Sequence, residues 1–299
     1  MSGITEAAAA SNSPACVACT GEMRFFGSRL GYTYVQCGTC GTLQLHPLPT
    51  KSELLKAYGD DYASAGHCDT DAEIRRGTAN PYYRAIVDAF EKHGGKGPVL
   101  DHGAGWGGLT ELVLAKGYVC TGVEPSVSMA SHCARLGLPV RHGDFWAADN
   151  GPYGAILMSA VFEHIVEHDA WLRRANQVVE QDGLIVSMQP TALFGTFVAQ
   201  LLRLGVRGVP LPQLHQVFCP PWHTVLFTIE GMRMLFARYG FELEGVYPGP
   251  QGRSPGLTGI AQRLLGGANR IGWPLLGVRW PLLICHIFVL RKRSHVPDV

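Results

Sequence analysis

Two CxxC pairs stand near the start of the 299-residue chain, Cys16-Val-Ala-Cys19 and Cys37-Gly-Thr-Cys40, with 17 residues between them. Each pair sets two thiolates on one side of a tight knuckle, and two knuckles complete a tetrahedral zinc site. Four cysteines close the coordination sphere, so the spacing predicts structural rather than catalytic Zn2+, with direct contact to a substrate or nucleic acid as the alternative. A second cluster is Asp101-His-Gly-Ala-Gly-Trp-Gly-Gly. Its glycines Gly103, Gly105 and Gly107 let backbone approach a ligand with no Cβ in the way. The helix start behind them offers unpaired N–H groups. An acidic residue about 20 positions on is placed to accept from ribose hydroxyls, and Glu124 stands there. Gly103, Gly105 and Gly108 equally satisfy the dinucleotide pattern GxGxxG. A carboxylate at Asp101 separates the two readings: it would face a pyrophosphate unfavourably, but suits a cationic or zwitterionic ligand.

These residues need a frame. Pro98 to Leu100 and Val119 to Val123 read as strands around a helix with apolar Leu109, Leu112, Val113 and Leu114, closed by Lys116-Gly117. Val127 to Leu138 reads as a helix and Pro139 to Arg141 as a short strand. Ala155 to Ser159 is expected as a buried strand, Trp171 to Val179 as a helix, and Leu184 to Met188 as a further strand. This alternation is the doubly wound α/β pattern. Ahead of it, Thr50-Lys-Ser-Glu53 is a capping box, and Asn80-Pro81 opens a helix with apolar Tyr82, Ala85, Ile86, Ala89 and Phe90. Later, Phe194 to Leu204 reads as an apolar helix, Thr228 as the N-cap of a helix carrying Met232, Leu235 and Phe236, and Gly256 to Ile271 as an irregular or helical insertion.

The turn at Asp101 resembles motif I of class I S-adenosylmethionine-dependent methyltransferases, D/E-x-G-x-G-x-G followed by an acidic residue after the second strand. The resemblance covers most of Asp101 to Gly240. It implies that Asp101 and the Gly103–Gly107 backbone hold the methionine end of S-adenosylmethionine and that Glu124 holds the ribose. Asp144 would accept from the adenine amine and Phe145 would stack on the ring; read alone, that pair is equally an ordinary polar turn. Phe162-Glu163-His164-Ile165 matches the family's Glu-His-Ile element, which brings Glu163 and His164 beside the donor pocket, with Ser159 at the preceding strand end as a further cofactor-binding candidate. Tyr153-Gly154 departs from the usual Phe-Asp. His164 or His223 is a candidate general base, since histidine titrates near working pH; a structural histidine is the rival for each. Tyr62 and Tyr82 are weaker candidates for shaping the pocket. Asp60, Asp61 and Tyr62 would cover the site, or belong to a connector helix with a solvated acidic end. The run from Cys37 to Tyr62 resembles bacterial methyltransferases with an N-terminal zinc ribbon. Leu282 to Lys292 is expected as the last strand, antiparallel at the sheet's edge.

The expected architecture is a Rossmann-like, doubly wound seven-stranded sheet with an N-terminal zinc ribbon and a helical lid insertion. Residues 1–14 form a disordered tail, 15–50 the ribbon, 51–95 a helical connector and cap, 96–292 the methyltransferase domain with the lid at about 191–222, and 293–299 a tail. The expected activity is O- or C-methylation of a small-molecule acceptor, a sugar, secondary metabolite or lipid-like compound. An RNA base methyltransferase gripping RNA through the ribbon is the first alternative, but the net charge of +1 offers no basic footprint for a nucleic acid. An NAD-dependent oxidoreductase and a non-enzymatic zinc-stabilised binding protein are the others. The odd count of nine cysteines, four in CxxC pairs, suits a reducing, cytoplasmic setting over a disulfide scaffold. Peripheral membrane contact through the apolar segment after the fifth strand is the less favoured reading of that segment.

Overall fold

The computed structural model describes residues 14–54, 56, 74–203, 217–251 and 256–296. The tail to residue 13, Asp60, Asp61, Tyr62 and part of the expected lid lie outside the described residues. Chain order begins with three antiparallel strands, β1 (Met23–Arg29), β2 (Tyr32–Cys37) and β3 (Leu43–Leu45). The capping box forms: Thr50 N donates to Glu53 Oε2 at 2.7 Å and Glu53 N donates to Thr50 Oγ1 at 3.2 Å. Helix α1 (Pro81–Lys92) starts at Asn80, whose side chain accepts from Tyr82 N. It buries Tyr83, Ile86, Val87, Ala89 and Phe90, so the packed face is turned one position from the expected one.

A seven-stranded sheet follows, in the order β10-β11-β8-β7-β4-β5-β6. Strands β4 (Val99–His102), β5 (Cys120–Glu124), β6 (Val140–His142), β7 (Tyr153–Ser159) and β8 (Val179–Pro190) run parallel. Between them lie α2 (Gly108–Ala115), α3 (Val127–Arg135) and α4 (His168–Val178). This is the expected doubly wound α/β architecture. β4 is buried along its whole length, and β7 everywhere but at its last residue, as strands covered on both faces must be. The unusual Tyr153-Gly154 has a steric cause: a Cβ at residue 154 would fall 2.3 Å from the Lys96 carbonyl oxygen.

Beyond β8 come α5 (Ala192–Arg203), β9 (Val225–Leu226), α6 (Ile229–Ala237), β10 (Phe241–Pro248), α7 (Gly256–Leu276) and β11 (Cys285–Lys292). β11 is antiparallel, but it does not stand at the edge as expected: it lies between β8 and β10. Its residues from His286 to Leu290 are buried, and it pairs with a strand on each side. β10 is half-exposed and carries Glu242 and Glu244, paired with Arg291 and Arg293, so it suits the edge. Among the described residues no helix is long and apolar enough to cross a membrane.

The ribbon does not stand apart from the large sheet. β9, a two-residue strand that the sequence reading missed, pairs with β3 and completes a four-stranded sheet β1-β2-β3-β9. Tyr34, Leu43 and Leu45 share a core with Phe194 and Val198 of α5, Val217, Phe218, Leu226 and Ile284. A knuckle-sized unit buries little surface by itself; this one borrows a strand and a core. Thr228 locks the junction. Its Oγ1 donates to the Cys40 carbonyl at 2.6 Å and accepts from Gly231 N at 2.9 Å as the N-cap of α6. Thr228→Val should lower the unfolding free energy by about 1–2 kcal/mol, with Thr228→Ser close to wild type, as measured by urea denaturation.

Candidate active site

The C-terminal ends of β4, β5, β6 and β7 open on a cavity of about 720 Å3, where open α/β sheets place their ligands. Asp101, near the end of β4, is buried. Thr110 Oγ1 donates to its Oδ2 at 2.6 Å, while Oδ1 is buried with no hydrogen-bond partner among the described residues. Burial pushes this carboxyl up to about 7; Thr110 works against the rise and nearby Glu124 adds to it. Glu124, at the end of β5, accepts from Gly105 N through Oε2 and from Ser126 N through Oε1, both at 2.8 Å. Its burial also raises it, against those two bonds. Gly103 and Gly105 line the cavity. Gly105 has φ +56, and a Cβ there would meet nothing within 4 Å, so bare backbone faces open space. Gly107 instead caps α2 against α3 and does not line the cavity.

Asp144 follows β6. Its Oδ1 accepts from Trp146 N at 3.0 Å, and its Oδ2 pairs with Lys51 Nζ at 2.7 Å. Phe145 lines the cavity but its ring is almost wholly buried, stacked on Trp171 at 4.9 Å and tilted against His102 at 5.0 Å. The exposed aromatic beside Asp144 is Trp146, with Lys51 Nζ 5.9 Å from its ring centre. Neither Lys51 nor Trp146 was singled out from sequence. Lys51 sits inside the recognised capping box, and Trp146 directly follows Phe145, so both were near residues already read. His102, also missed, is held neutral by burial, down to about 4.

Ser159 ends β7 at the cavity wall, and Ala160 turns the chain with φ +56. A left-handed alanine costs on the order of 1 kcal/mol, and this one leads into the 3-10 turn that carries Glu163. Both carboxylate oxygens of Glu163 are buried without a hydrogen-bond partner among the described residues, and burial pushes the group up to about 8. His164 Nε2 lies 3.8 Å from Glu163 Oε1, and the His164 and His223 rings meet edge-on with centres 5.0 Å apart. His223 Nδ1 is 2.7 Å from the Val217 carbonyl. A carbonyl only accepts, so Nδ1 carries the proton. Tyr82 lines the same cavity. Of the candidate residues named from sequence for this site, the structure therefore gathers all that are described except Gly107.

The ribbon cysteines form a separate cluster. All four sulfurs lie within 4.8 Å of one another, with Cys16–Cys40 at 3.6 Å and Cys19–Cys37 at 3.4 Å. A tetrahedron of sulfurs with 2.3 Å bonds to a central zinc has edges of about 3.8 Å, so the donor set fits. Thr39 N and Cys40 N both donate to Cys37 Sγ.

A family model described as "Methyltransferase domain" matches residues 74–246. No curated protein matches the chain. Among solved structures, a 1,6-didemethyltoxoflavin N1-methyltransferase from Burkholderia thailandensis, with its acceptor and S-adenosylhomocysteine bound, is 16% identical. That match covers 91% of this chain and 100% of the other, with a TM-score of 0.51. A cyclopropane synthase from Mycobacterium tuberculosis is 19% identical over 70% of this chain and 83% of its own, with a TM-score of 0.49. At these identities the likeness is one of fold.

The buried Asp101 carboxyl sets a pH dependence. Its folded value lies above its unfolded one, so its contribution to stability is present at acid pH and is lost as pH rises toward about 7. Thermal midpoints of the ligand-free protein measured between pH 4 and pH 8 should fall less steeply for Asp101→Asn than for wild type.

Proposed function

This chain belongs to the methyltransferase-domain family, and we propose that its strand-end cavity holds S-adenosylmethionine and a small-molecule acceptor side by side. The observation that carries the reading is the unpartnered Oδ1 of buried Asp101. It suits the cationic methionine end of the donor better than a pyrophosphate, which speaks for this donor over a dinucleotide. Glu124 spends one lone pair of each oxygen on backbone N–H groups and keeps the others for a ribose diol. The bare backbone at Gly103 and Gly105 walls the methionine side. Asp144 accepts from the adenine amine while shared with Lys51, Phe145 supplies the apolar wall, and Ser159 contributes from the end of β7.

When bound, the donor supplies a methyl group already activated by its sulfonium. The protein's part is to align the acceptor for in-line attack and to relieve it of a proton. Glu163, His164 and His223 form the catalytic cluster that faces the acceptor. The acceptor is a sugar, a secondary metabolite or a lipid-like compound, methylated on oxygen or carbon. The net charge of +1 argues against RNA. The ribbon cysteines Cys16, Cys19, Cys37 and Cys40 hold a structural Zn2+, and thiols kept reduced for that purpose suit the cytoplasm.

Incubation of the protein with methyl-labelled S-adenosylmethionine and cell extract should place label in the small-molecule fraction. Glu124→Ala should abolish that labelling and weaken donor binding at least tenfold, read by calorimetry. Label appearing in RNA instead would sink the acceptor reading, and wild-type donor affinity in the variant would sink the pocket reading. Elemental analysis should find one zinc per chain, lost in Cys37→Ser together with a lower thermal midpoint.

A further inference from the structure

Glu163, His164 and His223 offer one carboxylate and two imidazoles whose donor atoms all lie within 4.8 Å of one another. They are brought together from distant parts of the chain and clipped there. Thr224, next to His223, donates through N at 2.9 Å and Oγ1 at 3.0 Å to the Glu163 carbonyl, and Oγ1 also reaches the Ile165 carbonyl at 3.1 Å. The Glu163 side chain is fully buried, and both its oxygens lack a hydrogen-bond partner among the described residues. Buried carboxylates are paired with charge or coordinate metals. No arginine is among the described residues that line the cavity, and its single lysine, Lys51, is already paired with Asp144. Among the described residues, therefore, no lysine or arginine is left to pair with Glu163.

The histidine geometry points the same way. His223 gives its Nδ1 proton to the Val217 carbonyl, which leaves the lone pair on Nε2. Metal-bound histidines are fixed in this manner, by donating the other ring N–H to a carbonyl or carboxylate. Donors on one transition-metal ion, at about 2.0–2.2 Å from it, lie about 3–3.5 Å apart. The present 3.8 Å between His164 Nε2 and Glu163 Oε1 needs only a small side-chain rotation to close. Two histidines and one carboxylate leave open coordination positions, and nitrogen–oxygen donors suit a harder cation than the four thiolates of the ribbon do.

We propose that Glu163, His164 and His223 bind one divalent transition-metal cation, and that the methyl acceptor carries two neighbouring oxygens, as in a catechol, a vicinal diol or a hydroxycarbonyl compound, which chelate it. The inference rests on the reading that the acceptor occupies this cavity beside the methyl donor. Coordination weakens the acceptor O–H bond, and its proton leaves to solvent. The oxygen lone pair then forms the O–C bond to the methyl carbon as the methyl–sulfur bond breaks, and its electron pair stays on sulfur. The two histidines act as ligands, and no histidine base is needed.

The test uses the full chain with zinc retained in the ribbon, stripped of weaker metals by dialysis and titrated with Mn2+ while free Mn2+ is followed by electron paramagnetic resonance. One Mn2+ should bind per chain, and binding should weaken at least tenfold in Glu163→Gln and in His223→Ala, with S-adenosylmethionine affinity unchanged in both. On wild-type protein, Mn2+ should protect His164 and His223 from diethylpyrocarbonate, read by mass spectrometry, which needs no variant to fold. Equal Mn2+ binding in wild type and variants, or equal modification with and without Mn2+, overturns the proposal. So does full activity after chelation combined with a pH–rate profile that moves in His223→Ala, an outcome that returns the histidine to the role of base and leaves the donor pocket standing. Failure of wild-type protein to bind S-adenosylmethionine would be a separate result, against the donor pocket itself.

Discussion

Three carboxyl groups, Asp101, Glu124 and Glu163, are buried around one cavity, and the described protein offers one lysine there, held by a fourth carboxylate. Everything about the site follows from that imbalance. A carboxylate taken out of water without a partner is costly, and the usual escape is to keep the proton. Burial pushes Asp101 up to about 7 and Glu163 up to about 8; it raises Glu124 too, against the two backbone N–H groups that meet that carboxylate. The ligand-free fold is thus unsatisfied where its ligands belong, and positive charge arriving there stabilises the native state by mass action. The left-handed Ala160 beside Glu163 is a second local cost at the same wall.

The scaffold that tolerates this cost is held from two sides. Below, the parallel strands β4, β5, β7 and β8 are sandwiched between apolar clusters, so their ends are fixed. Above, the ribbon sheet lies over the segment that bears His223, through β9 and the Thr224 contacts to Glu163. The cysteine knuckles and the Glu163–His164–His223 cluster are therefore joined through one short stretch of backbone, 223–228. Thr228 reaches the carbonyl of Cys40, and five residues earlier His223 faces His164. A metal held by the four cysteines, as proposed, would stiffen one end of that hydrogen-bonded main chain.

What could be read without coordinates was whatever depends on near neighbours in sequence. The glycine turn, the capping box at Thr50, the Asn80-Pro81 helix start and the Thr228 cap are each decided within four residues. Glu124 was legible because a strand end and a counted spacing locate it. The misses depend on partners far along the chain. β9 is two residues long, too short for any periodicity, and exists only because β3 offers it a ladder. The inside position of β11 depends on β10 pairing along its outer side, an order that an apolar run cannot announce. Phe145 turned inward because Trp171 and His102 were there to stack on, and Lys51 found Asp144 across more than ninety residues. Gly154 looked like a departure from pattern and is a steric necessity set by Lys96.

The strand exchange between ribbon and catalytic sheet also bears on how the chain comes into being. The residues joined at the Thr228–Cys40 contact are 188 positions apart. A ribosome adding about 5–20 residues per second needs on the order of 10–40 s to cover that distance. The knuckles emerge first and can capture metal at once, yet their sheet has an open edge until Val225 and Leu226 arrive. For that interval the nascent ribbon exposes an unpaired β3, with Leu43 and Leu45 uncovered. Early metal capture would keep that edge in register while it waits for its own distant strand, rather than for a neighbour's.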